Sequence, residues 1–122
     1  MEKKYAAVTP YLITGDAQKF IDFTEIVFNA KLRLKEMRDE KIIKHAEIQI
    51  DDSIIMCADA VGEWKAQPAG FFVIVKDADE SFQTALDHGA TIISDLADLD
   101  YGRSGGVKDP LGNSWWIVSG VK

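Results

Sequence analysis

The chain repeats itself. Tyr11-Leu12-Ile13-Thr14-Gly15-Asp16-Ala17 and Phe72-Val73-Ile74-Val75-Lys76-Asp77-Ala78 are both short apolar runs that end at an aspartate, and the two aspartates lie 61 positions apart. A repeat of that length is one supersecondary unit used twice, neither copy of which can bury its apolar face alone. Each aspartate is placed to cap a helix, and Glu80, three residues beyond Asp77, gives the second copy a capping-box pattern. Helices are predicted after both. Ala17, Phe20, Ile21, Thr24, Val27 and Phe28 recur at spacings of 3 and 4, as do Ala78, Phe82, Ala85 and Leu86. Asn29-Ala30 and His88-Gly89-Ala90 supply the stops. His88 therefore reads as a last-turn residue near the negative end of the helix dipole rather than as a catalytic one.

Strands follow each helix. In the first half they are predicted over 31–38, 42–50 and 53–58, with Asp51-Asp52 as a tight hairpin turn. In the second half they are predicted over 91–94, 102–108 and 114–119. Leu96 to Tyr101 reads as an aspartate-rich loop, and Asp109-Pro110-Leu111-Gly112-Asn113 as a turn. The expected organisation is a single α+β domain over 1–122. Module 1 covers about 5–58, a connector 59–69, and module 2 about 70–120. The connector, with Gly62, Trp64, Pro68 and Gly70, is either a passive link or a lid.

Composition narrows the function classes. With 122 residues, 47% hydrophobic and 28% charged, the chain has ordinary globular composition. No apolar run approaches the roughly 20 residues that span a bilayer. Met-Glu-Lys-Lys-Tyr at the start lacks the apolar core of a secretory signal, so a cytoplasmic protein is expected, with no membrane partner. The net charge of −6 and the absence of a Lys/Arg stripe argue against a nucleic-acid partner. The lone Cys57 reads as a small core residue on a strand.

Side chains alternate across a strand. Ala46, Ile48 and Ile50 suit the side covered by a helix, which leaves His45, Glu47 and Gln49 together on the other face. That face either meets solvent or lines a polar cavity. There His45 and Glu47 are candidates for hydrogen bonding to a ligand, for an acid–base pair, or for two metal ligands still lacking a third and fourth donor. Adjacent Trp115 and Trp116 must point to opposite faces. Either one lies in the core and the other is free to stack on a ligand, or both are core.

Val8-Thr9-Pro10-Tyr11-Leu12, Ala17 to Phe23, His45-Ala46-Glu47-Ile48, Asp52-Ser53-Ile54-Ile55-Met56 and Asp109-Pro110-Leu111-Gly112-Asn113-Ser114-Trp115-Trp116 together resemble the vicinal oxygen chelate superfamily, most closely its PhnB-like glyoxalase/bleomycin-resistance branch. The resemblance implies paired βαβββ modules forming a cupped mixed sheet with helices on the convex side. It also implies a homodimer, and in catalytic members a divalent metal held by His and Glu on the concave face. Matched from the helix-capping Asp16, the family's four donor positions fall at Thr9, near Met56, near Gly70 and at Trp116. A hydroxyl, a thioether, no side chain and an indole do not make a hard-cation site. The expectation is therefore binding of a small, partly aromatic or cationic molecule without the usual metal, by Thr9, Tyr11, His45, Glu47, Met56, Phe72 and Trp116. No cofactor is expected. The alternative is a metal-dependent or acid–base lyase or isomerase that uses His45 and Glu47.

Overall fold

The computed structural model describes residues 5–121. Its elements come in the order β1 (Tyr11–Thr14), α1 (Ala17–Phe28), β2 (Lys31–Met37), β3 (Ile43–Ile50), β4 (Ser53–Asp59), β5 (Gly70–Ile74), α2 (Ala78–Asp87), β6 (Thr91–Leu99), β7 (Gly102–Lys108) and β8 (Ser114–Ser119). They build two four-stranded sheets, ordered β1-β4-β3-β2 and β5-β8-β7-β6. In each, the first and last strands of a βαβββ unit pair in parallel and the rest pair antiparallel. The repeat in the sequence is thus a repeat in topology, and the expected cupped sheet is divided into two halves.

Local chemistry fixes both helices at the same points. Asp16 accepts the Lys19 amide at 3.0 Å and Asp77 the Glu80 amide at 3.1 Å, so both aspartates are N-caps. Asn29 closes α1 in the left-handed region at φ 56°, and Gly89 provides the same turn after α2 at φ 98°. The end of each module's last strand clips the start of its helix. Asp59 accepts the Ala17 amide at 2.7 Å, and Ser119 accepts the Ala78 amide at 3.0 Å.

The segment expected to be a loop after Ser94 is instead strand: β6 continues to Leu99, and the turn falls at Asp100-Tyr101. Register shifts between Ile92 and Ser94 and again between Ser94 and Ala97 interrupt the alternation there. A bulged strand loses the period of two by which strands are recognised.

One core joins the modules, because both helices cover the inner faces of their sheets and pack against each other. Its centre is aromatic. Trp115 of β8 stacks on Phe71 at 4.3 Å between ring centroids and meets Phe28 of α1 at 4.6 Å and Phe20 at 6.3 Å. Asp109 holds this indole in place. It accepts the Trp115 Nε1–H at 2.8 Å, the Leu111 amide at 2.8 Å and the Asn113 amide at 3.0 Å. Asn113 in turn accepts the Ala69 amide at 2.9 Å, tying the turn to the start of β5. The Asp-Pro-Leu-Gly-Asn motif is accounted for by this architecture.

Candidate functional site

The side of each sheet away from its helix is open. Across the first sheet, register aligns Tyr11, Met56, Glu47 and Leu34 in one row. Across the second, it aligns Phe72, Trp116, Gly106 and Ser94. Tyr11 and Phe72 are equivalent by the repeat, as are Met56 and Trp116. Of the residues expected to bind a ligand, Tyr11, Glu47 and Met56 share the first row and Phe72 and Trp116 the second, while His45 lies two residues from Glu47 in another row and Thr9 precedes β1. Trp116 is 40% exposed while Trp115 is 1% exposed, so the tryptophan pair divides between open face and core. Gly106 makes room for Trp116, since a Cβ at 106 would fall inside the indole ring.

A hydrogen-bonded chain runs over the first row. Glu47 accepts the Tyr5 hydroxyl at 2.9 and 3.1 Å and lies 3.0 Å from Nε2 of His45. His45 Nδ1 faces the Tyr11 hydroxyl at 3.4 Å, and the two rings stack with centroids 5.6 Å apart. If Nε2 carries the hydrogen toward Glu47, Nδ1 is left as an acceptor. Glu47 is buried beneath these side chains. Burial pushes its pKa up, but hydrogen bonds from His45 and Tyr5, with the charges of His45 and Arg33, outweigh that and hold it below the ordinary carboxylate value. The bond to Glu47 is also the main reason the Tyr5 hydroxyl is raised. Tyr5 was not anticipated from the sequence. It precedes the first patterned segment, and its partner lies 42 positions away, so neither periodicity nor a motif marks it.

Thr9 and Phe72 are brought together from different modules. They line one cavity of about 610 Å³ at the seam, where the segment before β1, the β3–β4 hairpin and β5 meet. Ile54, Ile74 and the hairpin residues Asp51 and Asp52 are among its other lining residues, and the two aspartates were read from sequence only as a turn. Tyr11 lines a second cavity of about 440 Å³ at the far end of β1. His45, Glu47, Met56 and Trp116 line neither cavity and lie on the sheet faces turned away from the helices.

The side chains at the family's donor positions do not fit a divalent ion. Met56 and Trp116 present a thioether and an indole to the open face, and Glu47 is already engaged by Tyr5 and His45. Among the described residues, no three His, Cys, Asp or Glu side chains converge as a metal site. Cys57 offers no thiolate, because burial first and the nearby Asp59 second push its thiol up to about 12.

Comparison with known proteins agrees with this topology. Uncharacterised proteins of Mycobacterium bovis and Mycobacterium tuberculosis are 34% identical to the chain over 95% of its length, which covers 84% and 75% of theirs. Three solved structures share the fold. TioX from Micromonospora sp. ML1 is 24% identical at a TM-score of 0.75, covering 96% of this chain and 98% of that one. A PhnB protein from Bacillus cereus is 18% identical at 0.73, covering 93% and 99%. The bleomycin-binding protein of Streptomyces verticillus, solved with copper(II)-bleomycin, is 17% identical at 0.61, covering 98% and 99%. The profile of one family matches residues 5–117, and the chain belongs to that family, the glyoxalase/bleomycin resistance protein/dioxygenase superfamily.

Proposed function

We propose that this protein is a cytoplasmic homodimer that binds a small, partly aromatic or cationic molecule on its open sheet faces and at the seam between modules, without the family's usual metal. The observation that carries this reading is the cavity of about 610 Å³ in which Thr9 and Phe72 meet beside Asp51 and Asp52. Its volume lies within the range that small-molecule sites use. Apolar walls provide contact area, and the two carboxylates at the hairpin favour a cation. The Streptomyces verticillus protein of similar fold is a bleomycin-binding protein, which is in keeping with this reading. The lone, sealed Cys57 agrees with a reducing compartment.

The experiment is thermal unfolding of the full chain after chelator treatment, with the aromatic cation proflavine and with copper-bleomycin as probes. A ligand stabilises the folded state according to its concentration over Kd. Proflavine is expected to raise Tm, with the shift lost in Phe72→Ala and in Asp51→Asn/Asp52→Asn and kept in Trp64→Ala. A flat response to both probes, or a shift indifferent to Phe72 and the aspartates, would sink the reading. So would stoichiometric Ni, Zn, Fe or Mn in the purified protein that disappears in His45→Ala.

A second reading rests on the Glu47–His45–Tyr11 chain. Glu47 orients the imidazole and His45 Nδ1 accepts a proton from a carbon next to a carbonyl, as an acid–base lyase or isomerase would require. Deuterium incorporation from solvent into hydroxyacetone, followed by NMR, tests it. Exchange above the buffer rate that is lost in His45→Ala supports catalysis, and exchange equal in wild type and variant removes it.

A further inference from the structure

The connector between β4 and β5 is held rather than loose. The Ala60 amide donates to the Thr14 carbonyl at 2.9 Å and the Gln67 amide to the Ile13 carbonyl at 3.0 Å, so both ends of the turn are fastened to β1. Between them Val61 and Trp64 exchange both backbone hydrogen bonds, at 3.1 and 2.9 Å, around Gly62 at φ 54°. The glycine takes a conformation that side chains resist, and the closed turn fixes where Trp64 stands. Trp64 is 64% exposed, so the turn does not exist to bury it.

What Trp64 does is wall a cavity of about 440 Å³, with Tyr11, Ile13 and Ile43 from the sheet. Three charged residues join them: Arg38, Lys44 and Asp59. The Asp59 carboxylate is already engaged, with one oxygen on the Ala17 amide and the other on the Ile43 amide, both at 2.7 Å. The neighbouring Asp39 folds back on its own turn, accepting the Lys41 and Ile42 amides at 2.8 Å. Arg38 and Lys44 form no ion pair with a described residue. Asp59 and Asp39 keep their negative charge, and Arg38 acts on Asp39, but both carboxylates spend their acceptors on backbone amides, which leaves the N–H donors of Arg38 and Lys44 as the charged groups with hydrogen-bonding capacity to offer a ligand.

We infer that this cavity is a second ligand site, selective for a planar aromatic anion such as an aryl carboxylate, with Tyr11 and Trp64 for the ring and Arg38 and Lys44 for the charge. Its ligand has the opposite polarity to that of the seam cavity, and the two sites share no lining residue. Failure of one reading leaves the other standing. Tyr11 also touches His45, so occupation of this cavity reaches the relay on the open face.

The test uses three naphthalene probes of equal size on the full chain at low salt: 2-naphthoate, 2-naphthamide and 2-naphthylmethylammonium, titrated by calorimetry. Naphthoate is expected to bind tightest. Arg38→Gln/Lys44→Gln should weaken it by about 3- to 10-fold, the scale of two exposed charge contacts. Trp64→Ala should abolish binding without lowering Tm, since that side chain stands outside the core, and Lys108→Gln, on the other sheet, should change nothing. Equal affinity for the three probes, no binding, or binding unaffected by the double variant or by Trp64→Ala would overturn the proposal. Conversion of a dimer to monomers by Trp64→Ala, with no naphthoate bound by wild type, would also overturn it by making the turn an interface between copies.

Discussion

Two adjacent glycines on β7 separate packing from exposure. A Cβ at Gly105 would come 2.8 Å from the ring of Phe82, a buried residue of α2 packed in the core. The atoms nearest a Cβ at Gly106 belong to the indole of Trp116, a side chain that is 40% exposed and lies outside the core. Gly105→Ala is therefore expected to cost about 1–3 kcal/mol as an overpacked core position. Gly106→Ala should cost less, yet shift the Trp116 fluorescence. Urea unfolding and emission spectra of the pair check this, and equal losses would mean that Trp116 is not free to move. Glu47 yields a second residue-scale prediction. Its folded pKa is lowered, so its contribution is complete above the unfolded carboxylate value of about 4.3 and is lost as pH falls below it. The groups that face it are Tyr5, His45 and Arg33. Glu47→Gln should bring the urea midpoints at pH 7 and pH 3.5 closer together, and an unchanged gap would contradict the assignment.

At the scale of elements, the two modules solve one problem with different strength. Asp59 holds the first amide of α1 and also the first amide of β3, whereas Ser119 holds only the first amide of α2. Removing an acceptor from a buried or half-buried N–H costs about 1–3 kcal/mol. Asp59→Ala is expected to cost about twice as much as Ser119→Ala in denaturant unfolding, and equal costs would show that the β3 amide finds another partner. This contrast also marks what the sequence made legible. Asp16 and Asp77 were readable as caps because an N-cap acts within three residues. The 61-residue repeat was readable because both copies kept their caps and apolar stripes. The alternation at 45–49 grouped His45 with Glu47 correctly. The full extent of β6 was hidden because two register shifts broke its period. Tyr5, Asp51 and Asp52 were missed as site residues because their neighbours are contributed by the fold over long separations, through contacts that no local pattern encodes.

On the whole molecule, the open faces bear on the proposed homodimer. Tyr11 is 52% exposed, Phe72 58%, Ile74 61% and Trp116 40%, all on strand faces turned from the shared core. Large exposed apolar side chains on such faces are the kind of surface that association covers. The proposed occupant is a second copy. A two-fold axis that sets the row Tyr11-Met56-Glu47 of one copy against the row Phe72-Trp116-Gly106 of its partner sets the reciprocal pair together as well. Such a dimer would place His45 and Glu47 opposite Phe72 and Trp116 and complete each half-site with the other chain. Sedimentation should then give a dimer at micromolar concentration, and Tm should rise with protein concentration. Trp116→Asp would bury an unpaired carboxylate at the contact and should yield folded monomers, the core Trp115 being untouched. Proflavine should still occupy the seam of those monomers, while any His45-dependent exchange should vanish. A wild-type protein that sediments as a monomer with these rows in solvent would leave His45 and Glu47 without a facing wall, and the relay would then have no enclosed place to act.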